Sequence, residues 1–410
     1  MTSVEASRRP GEAPRGWRHW MAGGLAASLA TVVAAGGAGQ PVAAPTLPDN
    51  PLHGRLLFED KHCSQCHGLA GGRSGVGPSL GEGRFRGSFL DLGAAMWNHV
   101  PGMSGQFEGK ELAWPQLTEA EAMELTSFLY FIDYLGRPGD AAAGRRIFAS
   151  RGCPTCHAVG GRGGTRGPDL AGLTGFASPL FVAQAIWNHG PSMLGSMQRA
   201  GMAPPVLKEG DLGDLSAFIR QAAESGPRER LLLSPGNPNR GQAVYETRGC
   251  LSCHALPGHS GPDLRRTDLH RSAEAIAATM WNHALGMNAS MVRQGIAWPQ
   301  LTAEELADLV AFLYYLPFAD PPGSAQRGAE VFVGRACASC HSGAKTSGQR
   351  GPDLAGSPAT QSPAALVAAM WNHAPVMKTA ILSEGRPWPE LSGQNLRDLL
   401  AYLRPLPGAR

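Results

Sequence analysis

The sequence predicts an all-α protein built from four small tandem modules. Three observations predict it. A five-residue pattern, Cys-x-x-Cys-His, is spelled four times: Cys63-Ser64-Gln65-Cys66-His67, Cys153-Pro154-Thr155-Cys156-His157, Cys250-Leu251-Ser252-Cys253-His254 and Cys337-Ala338-Ser339-Cys340-His341. The copies begin 90, 97 and 87 residues apart, a period that suits one small domain per copy rather than a solenoid. Around every copy the same helix signals recur in the same order.

Each unit opens with a Gly-x-x-x-aromatic helix start: Gly54 to Phe58, Gly144 to Phe148, Gly241 to Tyr245 and Gly328 to Phe332. The cysteine motif follows. A Gly-rich loop then ends in Gly-Pro-x-Leu, at Gly77-Pro78, Gly167-Pro168, Gly261-Pro262 and Gly351-Pro352. A short apolar helix runs into Trp-Asn-His, a loop carrying Met follows, and a Trp-Pro turn (Trp114, Trp298, Trp388) leads to an amphipathic helix. In the third unit Leu306, Leu309, Phe312, Leu313 and Leu316 mark that last helix with a 3.6-residue period. Thr118 with Glu121, and Thr302 with Glu305, read as capping boxes that start it. The second unit departs: Pro204-Pro205 replace Trp-Pro and the cap is missing. Pro, Gly and charge mark linkers at Gly136–Ala141, Gly226–Asn239 and Pro317–Gln326. The expected modules are therefore 51–137, 139–226, 236–318 and 323–407.

Cys-x-x-Cys-His is the signature of covalent c-type haem attachment. Two thiols three residues apart can reach the two vinyl groups along one side of a porphyrin, and the adjacent histidine then falls under the ring to bind the iron. The motifs use all 8 cysteines, leaving none for a disulfide. The competing readings are a zinc half-site and a redox dithiol. A zinc site needs four ligands close together, and a disulfide exchanger has no use for a histidine four times over.

Bulk properties agree. At 410 residues the chain has room for several domains, and a module of this size has a thin core that a porphyrin would enlarge. The 54 glycines suit loops wrapped closely around a flat ligand. The net charge is only +3 and no basic run follows the first 20 residues, so nucleic acid is not an expected partner. Arg8, Arg9, Arg15 and Arg18 precede an apolar, Ala- and Gly-rich stretch from Met21 to Ala35, with small residues at Val42-Ala43-Ala44. Residues 1–44 thus have the form of a secretory signal peptide, the alternative being an uncleaved inner-membrane anchor. The twin arginines are followed by Pro10 and Gly11, which favours the general secretory route over a twin-arginine one. Either way the motifs face an exported compartment, most simply a bacterial periplasm.

With these features assembled, residues 51–407 resemble the class I c-type cytochromes in four copies. The shared features are a first helix ending at Cys-x-x-Cys-His, a Gly-Pro-x-Leu turn, a loop methionine and a last helix. The resemblance implies that first and last helices cross. It also implies that the carbonyls of Pro78, Pro168, Pro262 and Pro352 accept hydrogen bonds from His67, His157, His254 and His341, the proximal iron ligands, orienting their rings. Trp-Asn-His is not part of that family pattern. Its tryptophan is expected to pack on the porphyrin or donate through its indole N–H, with a place in an electron path as the sharper alternative.

For the sixth ligand the spacing leaves two candidates. Met103, Met193, Met287 and Met377 each lie 25 residues after the turn proline, and His99, His189, His283 and His373 each lie 21 residues after it. Other methionines fail to recur: Met96, Met280 and Met370 are matched by Ile186, and Met197 and Met291 by Phe107 and Ile381. Pro101, Pro191 and Pro375 disfavour helix just before them, so His is expected at a helix end and Met on a loop beyond, as in the resembling family. Met is the preferred ligand and His the alternative. His/Met ligation raises a haem's reduction potential, and a six-coordinate iron has no vacancy for substrate.

The expected function is an exported tetrahaem carrier, passing single electrons along the chain between redox partner proteins: a dehydrogenase, a quinol oxidase or a terminal acceptor. The alternatives are an electron-transfer subunit of a larger dehydrogenase, and a peroxidase-like haem enzyme with one five-coordinate iron, with the altered second unit the first place to look. No catalytic residue is expected in the carrier itself.

Overall fold

The computed structural model describes residues 47, 50–69, 75–81, 85, 87–134, 136–172, 178–223, 235–254, 261–264, 272–343 and 350–404. The leader, including Val42-Ala43-Ala44, lies outside the described residues, as does most of the linker expected at 226–239. Among the described residues the chain forms twelve α-helices and one two-residue antiparallel strand pair. No helix among them is long and apolar enough to cross a membrane.

The helices repeat in threes. A short first helix precedes each cysteine motif: α1 (His53–Asp60), α4 (Ala141–Ser150), α7 (Pro238–Thr247) and α10 (Ala325–Gly334). A 21-residue helix follows: α2 (Phe89–Gly109), α5 (Pro179–Arg199), α8 (Ala273–Arg293) and α11 (Pro363–Ser383). A last helix closes the repeat: α3 (Glu119–Phe131), α6 (Asp211–Ala222), α9 (Ala303–Tyr315) and α12 (Gly393–Leu403). The expected capping boxes at Thr118 and Thr302 are formed, and Ser392 with Asn395 makes another in the fourth repeat.

First and last helices cross in every repeat, and the crossing explains the Gly-x-x-x-aromatic signal. A Cβ on Gly144 would collide with the backbone carbonyl of Asp214, and the same holds for Gly54 against Glu124, Gly241 against Asp308 and Gly328 against Asp398. Only glycine allows this approach. One turn on, the aromatic rings meet across the crossing: Phe58 and Phe128 at 6.0 Å, Phe148 and Phe218 at 5.6 Å, Tyr245 and Phe312 at 5.3 Å, Phe332 and Tyr402 at 5.6 Å. In three repeats a buried aspartate on the last helix also accepts from the backbone N–H just before the first helix. These bonds are Asp140 N to Asp214 (2.7 Å), Asn237 N to Asp308 (2.6 Å) and Ser324 N to Asp398 (2.7 Å). Arg137, Arg240 and Arg327 pair with the same aspartates. Burial opposes ionisation of Asp214, but Arg137 and the Asp140 N–H more than offset it, and the carboxyl stays below its ordinary range.

The repeats do not stand alone as beads. The first interlocks with the fourth through α2 and α11, and the second with the third through α5 and α8. The first and third are joined by their last helices. Tyr130 Oη donates to the Tyr314 carbonyl (3.2 Å), Tyr314 Oη to the Tyr130 carbonyl (2.6 Å) and Tyr315 Oη to the Ser127 carbonyl (3.0 Å). This aromatic joint buries α9 well beyond the predicted stripe, covering Val310, Tyr314 and Tyr315. Residues in or beside the linkers belong to these joints. Asp320 accepts from Leu90 N at the start of α2 (3.2 Å), and the Tyr134 carbonyl accepts from Ala273 N at the start of α8 (2.9 Å).

Candidate haem sites

Each Cys-x-x-Cys-His motif folds as a 3₁₀ turn entered through a left-handed residue: His62, Gly152, Gly249 and Ala336, with φ of 65°, 77°, 82° and 59°. The turn folds the histidine N–H back onto the first cysteine's carbonyl at 2.9–3.0 Å in all four copies. The cysteines of each pair are half-buried and free of disulfides. Burial pushes the Cys63 and Cys337 thiols up to about 11 and raises Cys153 and Cys250 as well.

The histidine is aimed by the turn that follows. Its Nδ1 donates to the proline carbonyl in every repeat: His67 to Pro78 at 3.0 Å, His157 to Pro168 at 3.1 Å, His254 to Pro262 at 3.2 Å and His341 to Pro352 at 3.1 Å. This is the bond the family resemblance implied. With Nδ1 committed as donor, Nε2 carries the lone pair a metal needs. The glycine before each proline presses on the ring, and a Cβ on Gly167 would come within 2.5 Å of the His157 Nδ1.

The long helix supplies the opposite wall, and here the sequence expectation is corrected. His99 and Met103 lie on one continuous helix, as do the other three pairs; none of the four candidate methionines sits on a loop. Pro101, Pro191 and Pro375 are inside these helices. Proline removes the N–H that would bond the carbonyl four residues back, here that of Trp97, Trp187 or Trp371. Each freed carbonyl is claimed by an indole from the interlocked repeat. Trp388 Nε1 donates to Trp97 O (3.1 Å), Trp298 Nε1 to Trp187 O (3.0 Å) and Trp114 Nε1 to Trp371 O (2.9 Å). The penalty that should end the helix is thus offset across an interface.

The rest of Trp-Asn-His also faces the interlocked repeat. Trp97, Trp187, Trp281 and Trp371 donate to the carbonyls of Pro389, Pro299, Pro205 and Pro115 at 2.7–3.0 Å, so the expected indole donation is present, between repeats. Asn98, Asn188, Asn282 and Asn372 were missed as functional residues. Each holds both backbone groups of one leucine in the opposite repeat, as Asn98 does with the Leu391 N–H and carbonyl at 2.9 Å. The histidines bond only their own helix through Nδ1, to the carbonyls of Ala95, Ala185, Thr279 and Ala369, and are exposed. Met103, Met193, Met287 and Met377 are half-buried and packed on the apolar core.

In the second repeat these walls enclose a cavity of about 400 Å³, within the usual range of ~300–1,000 Å³ for a ligand site. Its lining includes Cys153, Cys156 and His157 of the motif and His189, Met193 and Met197 of the long helix. Two free thiols, a metal-ready imidazole nitrogen and a further thioether or imidazole in one cavity suit a haem, and the residues fit the group. Among the described residues no three His, Cys, Asp or Glu side chains gather as a metal-ion site.

Comparison with known families agrees with this geometry. The cytochrome c family matches residues 141–223 and 325–407, and the family of cytochrome c oxidase, cbb3-type, subunit III, matches residues 236–313. These matches support a multi-domain c-type cytochrome. The matched segments coincide with its second, third and fourth repeats. Cytochrome c domains support a haem-based electron-transfer protein and imply covalent haem c. No curated protein and no solved structure matches the chain.

Proposed function

We propose that the protein is an exported tetrahaem carrier of single electrons, attached to haem at Cys63/Cys66, Cys153/Cys156, Cys250/Cys253 and Cys337/Cys340. One observation carries the count of four: the Nδ1-to-proline bond, with its 3₁₀ turn, is built the same way in every repeat. When bound, haem supplies a one-electron iron couple, and the protein sets its position and potential. His67, His157, His254 and His341 are the proximal ligands. Met103, Met193, Met287 and Met377 are the distal ones, favoured because all four pack on the apolar core beside the cysteine motifs. The leader directs export to a periplasm or anchors the chain to the inner membrane. Partners are redox proteins: a dehydrogenase, a quinol oxidase or a terminal acceptor. The match to an oxidase-subunit family supports work beside a membrane redox complex.

The test is mass spectrometry of the mature protein from a host that attaches haem covalently. Four added haems are expected, and fewer overturn the reading. Near-infrared magnetic circular dichroism on the same sample should show thioether–imidazole ligation with no high-spin iron. A high-spin centre would move the assignment to a haem enzyme.

A further inference from the structure

The tryptophan of Trp-Asn-His belongs to one repeat and lies against the haem site of another. Trp281 is on α8 of the third repeat, yet it lines the second repeat's cavity together with Cys153, Cys156, His157 and Met193. It is 7% exposed and its Nε1 is fixed on the Pro205 carbonyl at 2.8 Å, so the ring has one orientation. The first and fourth repeats show the same thing. Trp371 of the fourth shares an apolar cluster with Cys63, Leu80 and Met103 of the first, and its Nε1 donates to the Pro115 carbonyl at 2.7 Å. Six residues beyond Trp281 on the same helix stands Met287, a ligand candidate for the third repeat's own site. A single rigid helix therefore touches two sites.

We infer that each long-helix tryptophan is a positioning residue for the haem of the interlocked repeat, so that the four sites work as two couples, second with third and first with fourth. This rests on the haem reading proposed above. It replaces passage in chain order with exchange between repeats that share a wall. The indole's part is to exclude water from the partner's site and to provide a packed, polarisable contact leading back to its own.

The experiment uses full-length, haem-loaded protein and the hyperfine-shifted haem methyl resonances of its oxidised form. Gly167→Ala, which presses a methyl on His157, marks the resonances of the second repeat's haem; Gly261→Ala, pressing on His254, marks those of the third. Trp281→Phe should shift the set marked by Gly167→Ala and leave the other in place. Trp187→Phe should do the reverse. The inference is overturned if Trp281→Phe shifts the Gly261→Ala set as much as or more than the other, or shifts neither. A haem count below four in the unsubstituted chain is a failure of the haem reading alone, and intact-protein mass spectrometry reads it separately.

Discussion

The two interlocked pairs are built to one plan, and they differ in one particular. Between the first and fourth repeats the clasp is complete. Both helices carry the proline, both freed carbonyls receive an indole, and the rings stack in two places, Trp97 on Trp388 at 4.2 Å and Trp114 on Trp371 at 4.4 Å. Between the second and third repeats it is half complete. Pro191 and Trp298 make the same arrangement, with Trp187 on Trp298 at 4.4 Å. On the other side the third repeat has Leu285 where the proline would be, and the second has Pro204 where the indole would be. Leu285 keeps the N–H that closes the helix bond to the Trp281 carbonyl, so no indole is required there. Proline and tryptophan are present together or absent together, one in each partner. Tryptophan in this position therefore serves the partner's backbone as much as it fills space.

The largest effect should come from breaking the complete clasp. Trp388→Ala removes a stacked ring and leaves the Trp97 carbonyl without a donor, at a cost of about 3–5 kcal/mol. The equivalent change in the incomplete clasp, Pro204→Ala, should cost below about 1 kcal/mol. Denaturant unfolding of the haem-loaded variants measures both, and equal costs would dissolve the contrast.

A smaller effect distinguishes the pairs by pH. Glu274, at the start of α8, is 4% exposed and accepts from Gly213 N–H across the second–third interface. Burial raises its carboxyl to about 7, against the partial relief of that N–H and of Arg137. A raised folded value means that the native state holds the proton more tightly than the unfolded chain. Its stabilisation is complete below about 4.5 and is lost as pH rises through about 7. Glu274→Gln should therefore gain about 1–3 kcal/mol over the wild type at pH 8, with little gain at pH 4. The first–fourth pair has Leu90 and Ala364 at the matching places, seven residues before Trp97 and Trp371 as Glu274 is before Trp281, so it carries no carboxyl there.

Much of this fold was legible because its signals are local. The capping boxes at Thr118 and Thr302, the Gly-x-x-x-aromatic crossings and the Nδ1-to-proline bonds all involve residues within one repeat. The long helix was misread at Pro101, Pro191 and Pro375 for a physical reason. A proline's cost is local, but what offsets it lies 291 residues away in the case of Trp388 and Trp97. Propensity cannot see a donor in another repeat. The asparagines were missed likewise: each is exposed or half-buried on its own helix and acquires its role only against the partner's leucine. A signal for the pairing was present all the same. Only the second repeat lacks the indole and only the third lacks the proline, and that matched pair of departures identifies them as partners.

The matched departures can be tested by completing the missing clasp. Leu285→Pro alone should cost about 3 kcal/mol, because it frees the Trp281 carbonyl with no donor opposite. Pro204→Trp places an indole opposite, recreating the Trp-Pro sequence of the other repeats. In a double-mutant cycle the two changes should couple favourably by about 1–2 kcal/mol, the double variant being more stable than the sum of the single changes allows. Strictly additive costs would contradict the account, since they would mean that the indole in one repeat and the proline in its partner are unrelated.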